Sequence, residues 1–370
     1  MWKRLSPQTR RNIERIIPFG FIWMLSGWAF VLAEIAAEGR SEAGPEGVIS
    51  MDTSIFIFSS LATFFVGCLV GALEMIYLEK LFYRKSFLQT LFYKFIIYSF
   101  LMLLIISITY PIAASMELDR PLFDASVWEK FKTYLVSINF LSTLMQMAFS
   151  LFLCFFYAGI SENLGHSVLT NFFLGKYHRP KEEERIFMFL DMKSSTTIAE
   201  QLGHTRYFDL LQEYYASLSD AIIRHEGEVY QYVGDEIVLT WRSEDGIRHL
   251  NCIQCFFDMK EALQKRSEKF QDKFGVIPTF KAGVHGGEVS TGEIGALKKE
   301  IIFTGDVLNA TARIQGLCNE YQTDLLISEE LLHQLKLTSS FKATELGELS
   351  LRGKSQTMRL FKIDRSSLVK

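Results

Sequence analysis

Four membrane-spanning helices followed by an α+β domain of βαββαβ order is the architecture this sequence predicts, and three observations predict it. The mean hydropathy is positive although 22% of the 370 residues are charged, and there are 32 phenylalanines, so the apolar residues must be concentrated in one part of the chain. They are concentrated in the first 160 residues, in four runs each long enough to cross roughly 30 Å of hydrocarbon at about 1.5 Å per residue. From Ile186 onward the apolar runs become short and β-rich and alternate with amphipathic helical patterns, in the order strand, helix, hairpin, helix, strand.

The predicted spans are 16–37, 53–78, 90–114 and 134–160 within a membrane domain of residues 1–160. The first is too long for a signal-peptide core and ends in acidic residues instead of a small-residue cleavage site, so it is retained. Four spans place both termini on one side. Lys80, Arg84, Lys85 and Lys94 flank the middle loop, whereas Glu38, Glu42, Glu46 and Asp52 dominate the first, so the positive-inside rule puts the N-terminus, the middle loop and the C-terminal half in the cytoplasm of a cell bounded by this lipid bilayer. Glu74, Asn139 and Gln146 are the deepest polar residues of the spans, with Glu34 near an outer end; Glu74 is close enough in sequence to Lys80 to snorkel toward it. Gly67-x-x-x-Gly71 is a pattern that lets two spans approach. No span holds a histidine, which removes the usual axial ligand of a membrane haem.

Residues 161–183 read as a coupling helix ending at Gly175 and a charged linker, and 184–366 as the second domain. A net charge of −3 with no dominating basic surface excludes a nucleic-acid partner. Five cysteines form no disulfide framework; Cys252 and Cys255 fall in an amphipathic helical pattern without a second cysteine pair or a histidine cluster, which fits a reduced compartment better than a zinc site.

Chemistry is concentrated in three stretches of the second domain. The apolar strand Ile186–Leu190 ends in Asp191, and Ser194, Ser195 and Thr196 then lead into a predicted helix over 197–226, whose free N–H groups suit an anion. The hairpin 228–241 carries Val-Gly-Asp235-Glu at its tip. Two hard oxygen ligands beside an anion site suggest magnesium on a nucleotide's phosphates. A helix over 246–274 and a strand over 279–290 follow; His285 in that strand reads as structural. Finally, Asn309 and Arg313 lie four apart on a predicted helix and so share a face.

On these motifs the chain resembles the class III nucleotidyl (adenylate/guanylate) cyclases over roughly residues 180–365, with the two aspartates 44 residues apart as that family places them. The resemblance implies a ferredoxin-like catalytic core and attack of a ribose 3′ oxygen on the α-phosphate of ATP or GTP. It implies two Mg2+ (or Mn2+) ions held by Asp191, Asp235 and the Met192 carbonyl, and β and γ phosphates held by the N–H groups of Lys193, Ser194, Ser195 and Thr196. It further implies Asn309 orienting the ribose, Arg313 at the α-phosphate, Lys354 on phosphate, and a homodimer in which one copy supplies the aspartates and the other the Asn/Arg pair. Base choice departs from the family pattern: Gln231 and Ile302 occupy the two base-reading positions, where adenylate-specific members carry lysine and aspartate or threonine. The resemblance favours ATP, with GTP as the alternative. A diguanylate cyclase, echoed by Val233-Gly-Asp-Glu-Ile237, lacks a place for Asn309 and Arg313, and a catalytically silent nucleotide-binding receptor fits poorly with filled metal positions.

Overall fold

A computed structural model describes residues 5–38, 49, 52–78, 81, 87–164, 175–296, 299–350 and 357–366. The chain forms two compact units, the first made chiefly of Thr9–Thr170 and the second of Asn171–Lys370 with the short segment Arg4–Gln8.

The first unit is α-helical. It comprises α1 (Pro7–Glu38), α2 (Thr53–Ala72), α3 (Phe87–Leu118), α4 (Ala125–Leu135) and α5 (Ile138–Leu164). Four of these helices are long and apolar enough to cross a membrane, over Pro7–Ala33, Thr53–Leu78, Phe92–Leu118 and Ile138–Ser161. Asp52 caps α2 by accepting the Ile55 N–H at 2.7 Å. Gly67 lets α1 and α2 touch: a Cβ there would lie 2.5 Å from the Phe19 carbonyl oxygen. A π-helical turn, Leu73–Leu78, ends α2 and carries Glu74. Glu74 is buried and ion-pairs with Lys94 of α3, and it accepts the Tyr98 hydroxyl at 2.7 Å. The carboxylate thus finds its cation on the next helix, one apolar helix surface away from where local sequence points. Lys80 lies outside the described residues.

The fourth span begins later than the sequence suggests. Tyr134 belongs to α4, and the chain breaks at Val136 and Ser137 before α5 starts. The reason is amphipathicity: Val127, Phe131 and Tyr134, spaced four and three apart, pack on Ile106, Tyr110 and Ala114, while Glu129 and Lys132 stay exposed.

The second unit is an eight-stranded sheet with helices on both faces. In chain order it contains β1 (Lys181–Met192), α6 (Ser195–Arg224), β2 (Glu228–Val233), β3 (Glu236–Arg242), α7 (Asn251–Lys265), α8 (Ser267–Phe274), β4 (Phe280–Ile294), β5 (Glu300–Thr304), α9 (Asp306–Gly316), β6 (Leu325–Ser328), α10 (Glu329–Gln334), β7 (Phe341–Ser350) and β8 (Thr357–Arg365). The strands lie in the order β2-β3-β1-β4-β6-β8-β7, with β5 on β4; β4 and β6 are parallel and the other pairs antiparallel. The β2-β3-β1-β4 half with α6 and α7 is the βαββαβ, ferredoxin-like core.

Side chains alternate across the sheet. Ile186, Met188 and Leu190 of β1 join Leu210 and Leu218 of α6 and Phe256 of α7 in the main core. Phe187 and Phe189 face the other way, against Val307 at the start of α9. Two helices are interrupted where the sequence reads them as continuous. Gly203 adopts φ 71° and kinks α6, and His249 and Leu250, both at positive φ, start α7 afresh after the short turn at Ser243–Ile247. His285 is buried with Nδ1 2.7 Å from the Ser328 hydroxyl, a structural bond between β4 and β6.

Candidate active site

Asp191 is delivered by the alternation of β1. It follows Phe187 and Phe189 on the face away from α6, at the point where the apolar run gives out. The β1–β3 register pairs Asp191 with Glu236, which sets Asp235, in the turn between β2 and β3, beside it. That turn needs Gly234 at φ 64°, and the Tyr215 hydroxyl donates to the Gly234 carbonyl at 2.8 Å, tying the turn to α6. The two sequence-predicted carboxylates are therefore neighbours.

Their electrostatics call for a cation. Burial and the charge of Asp235 push the Asp191 carboxyl above its ordinary value, with Lys281 acting in the opposite direction. Lys281 is the β4 register partner of Asp191, and its Nζ stands 3.4 Å from Oδ2. Glu236 is pushed up too, by burial and then by Asp191 and Asp235. Asp235 Oδ2 is buried without a hydrogen-bond partner. A buried carboxylate oxygen left over in this way, facing a second carboxylate, fits a hard divalent ion. Among the described residues no group of three or more His, Cys, Asp or Glu side chains is arranged to hold a metal ion by itself, so the remaining ligands would be backbone and phosphate oxygens, the Met192 carbonyl among them.

The start of α6 holds the predicted anion segment. Ser194 takes φ 56° and its carbonyl accepts the Ile198 N–H at 3.0 Å, while its hydroxyl does not cap the helix. The Ser195 and Thr196 N–H groups therefore lie in the uncapped first turn. Lys193 differs from the expectation: its N–H already donates to the Thr279 carbonyl at 2.8 Å, and its ammonium ion-pairs with Asp324. Asp324 also binds Lys260 at 2.6 Å. Lys193 is a tether of this loop before it is an anion donor.

Asn309 and Arg313 sit exposed on α9, four residues apart. Gly283 of β4 admits this helix to the sheet; a Cβ there would meet the Gln315 nitrogen at 2.3 Å. Among the described residues no hydrogen bond or ion pair joins Asn309 or Arg313 to Asp191 or Asp235. Gln231 is exposed on β2, just past a bulge at Tyr230. Ile302 is on β5, opposite Gly292 of β4. The rings of Tyr230 and Phe303 meet at 5.0 Å, which brings β2 and β5 together next to both positions. Lys354 lies outside the described residues. Sequence reasoning missed Lys281, Asp324 and Tyr215; only the strand register and the tertiary fold bring Lys281 to Asp191, Asp324 to Lys193 and Tyr215 to the turn that carries Asp235.

Comparison with known proteins gives a consistent pattern. Residues 178–364, half of the chain, match the family model of the adenylate and guanylate cyclase catalytic domain. Adenylate cyclase 2 of Rhizobium meliloti (strain 1021) is 34% identical over 209 residues, 56% of this chain and 58% of that protein. The adenylate cyclase of Anabaena cylindrica is 25% identical over 183 residues, 48% of this chain and 36% of that protein. The chain thus spans little more than half the length of the first relative and about a third of the second. Among solved structures, the adenylyl cyclase CyaB from P. aeruginosa superposes with a TM-score of 0.44 at 18% identity, covering 51% of this chain and 98% of that one.

Proposed function

Since the chain belongs to the adenylate and guanylate cyclase catalytic domain family, we propose that it is a membrane-bound adenylate cyclase converting ATP to 3′,5′-cyclic AMP and pyrophosphate at sites shared between two copies. The observation that carries this reading is the adjacent pair Asp191 and Asp235, with Asp235 Oδ2 buried and unpartnered. Two Mg2+ or Mn2+ ions, when bound, lower the pKa of the ribose 3′ hydroxyl and neutralise the leaving phosphates.

The chain's own residues do the rest. Asp191, Asp235 and the Met192 carbonyl would hold the ions, and Lys281 offsets part of the pair's charge. The N–H groups of Ser194, Ser195 and Thr196 receive the β and γ phosphates, with Lys193 fixing the loop and Lys354 contributing charge. From a second copy, Asn309 orients the ribose and Arg313 places fixed positive charge where negative charge builds on the α-phosphate, an effect worth about 3–4 kcal/mol per donor. The exposure of both residues supports service to a neighbour rather than to their own chain. The four apolar helices hold the enzyme in the bilayer, with the catalytic unit on the cytoplasmic side by the charge of the loops.

Product analysis of the purified full chain with ATP or GTP and magnesium or manganese tests this reading. Cyclic AMP and pyrophosphate are expected; no cyclic nucleotide from either substrate under any of these conditions contradicts it. Guanylate cyclase activity is the second reading, favoured by Gln231, which can both donate to and accept from a guanine edge.

A further inference from the structure

The helical unit holds a half-open cavity of about 250 Å3, and its position in the bundle is specific. Its walls come from the C-terminal halves of α1 and α3 and the N-terminal halves of α2 and α5. In an antiparallel bundle those halves lie at one end, opposite the end where α5 gives way to the catalytic segment. On the topology proposed above, that is the outer half of the membrane.

The lining has two parts. One is aromatic: Trp23, Phe58, and Tyr110 stacked on Tyr134 at 4.1 Å between ring centres. The other is a polar stripe on α5, where Asn139, Ser142, Thr143 and Gln146 recur at helical spacing and all face the cavity. Polar side chains are costly in a membrane helix unless they are partnered. One of the four has an evident role: Thr143 receives the Tyr134 hydroxyl at 2.6 Å and donates to the Asn139 carbonyl at 3.0 Å. The Asn139 amide does not, for its Nδ2 is buried and makes no hydrogen bond. A buried amide donor without a partner, on a residue that lines an aromatic cavity, is what a ligand carrying an acceptor would satisfy.

We propose that this cavity binds a small neutral aromatic or amphipathic molecule bearing a carbonyl or ether-type acceptor, which takes the Asn139 N–H while its ring lies among Trp23, Phe58 and the Tyr110–Tyr134 pair. The ligand is uncharged because no Asp, Glu, Lys, Arg or His lines the described cavity, and an ion there would be desolvated without a counter-charge. It is small because the cavity is below the usual range for drug-sized ligands, roughly 300–1,000 Å3. The polar stripe lies on the helix that leads into the catalytic segment, so a ligand holding Asn139 biases the position of α5. That last clause rests on the cyclase reading; binding itself does not.

The test is therefore made by binding. The full chain in phospholipid nanodiscs is titrated with 4-fluoroacetophenone, a ring with one acceptor, and with 1-ethyl-4-fluorobenzene, which lacks the acceptor, and the bound 19F signal is followed. Saturable ketone binding is expected, lost in Ala62→Phe, which fills the cavity from α2, and weakened about three- to tenfold in Asn139→Leu, in line with one net hydrogen bond of roughly 0.5–1.5 kcal/mol. The hydrocarbon should bind Asn139→Leu no worse than wild type. Thr109→Phe, filling the space from α3, replaces Ala62→Phe if that variant does not assemble. Equal, non-saturating partition into wild type and the filled variant overturns the site, and an Asn139→Leu protein that binds the ketone as well as wild type overturns the acceptor. Neither readout depends on cyclase activity.

Discussion

Lys281 and Asp191 oppose one another across β4 and β1, Nζ 3.4 Å from Oδ2, and this cation counters the charge of the facing carboxylate pair. Lys281→Met should lower the stability of the metal-free protein by about 1–3 kcal/mol, the range for leaving a partly buried charge uncompensated. Divalent ions should then recover more stability in the variant than in wild type, since they replace the missing charge. Thermal melts with EDTA, and with magnesium or manganese, check this. Equal metal-induced shifts in the two proteins would contradict it.

Gly283 sets the seat of α9. A methyl group there would meet the Gln315 backbone nitrogen at 2.3 Å, so Gly283→Ala must displace the helix that carries Asn309 and Arg313. The expected cost is about 1–3 kcal/mol of stability together with a fall in cyclase activity of tenfold or more, because positioning errors of an ångström are expensive in phosphoryl chemistry. Wild-type turnover in a folded Gly283→Ala protein would show that α9 has no catalytic part.

Acid sensitivity follows from Asp258. Burial works against its ionisation, but His225 Nε2 at 2.9 Å and Arg224 Nη1 at 3.0 Å outweigh it and hold the carboxyl below its ordinary value. A carboxyl depressed in the folded state stabilises at pH above its unfolded value, about 4, and loses that contribution as pH falls through the folded value. Asp258→Asn should melt lower than wild type at pH 7 and show a flatter decline between about pH 4 and 2. Parallel melting curves across that interval would contradict the assignment.

Within the helical unit, Glu74 and Lys94 are best tested as a pair. Glu74→Gln strands the Lys94 ammonium beside Tyr98 and should destabilise by about 1–3 kcal/mol, whereas adding Lys94→Met should restore part of the loss. Detergent-solubilised melts of the two single variants and the double variant give the coupling. Additive losses would mean that the two charges do not interact.

Much of the candidate site was legible because its residues coincide with chain punctuation. Asp191 ends an apolar strand, Asp235 sits in a Gly-Asp turn, and Asn309 and Arg313 share one helical face; each is a local signal. Lys281 carries no such signal. In Phe280-Lys-Ala-Gly-Val it reads as an ordinary solvent-side residue of an alternating strand, and only the pairing of β4 with β1 puts it against Asp191. Lys94, the partner of Glu74, is hidden for the same reason, being 20 residues away on the next helix. The kink at Gly203 and the restart of α7 at His249 and Leu250 interrupt segments whose apolar periodicity continues through them, so pattern alone carries the helix across the break. The α4–α5 boundary escaped because Tyr134 is apolar enough to extend the fourth hydrophobic run while its packing belongs to α4.

The proposed centre is composite: carboxylates from one copy of the chain, amide and guanidinium from another. Co-expression of Asp191→Ala chains with Arg313→Ala chains measures this most directly. Each variant alone should be inactive, and the mixture should regain cyclase activity through heterodimers that retain one intact site. If both variants fold, form mixed dimers and remain inactive together, the shared site is wrong.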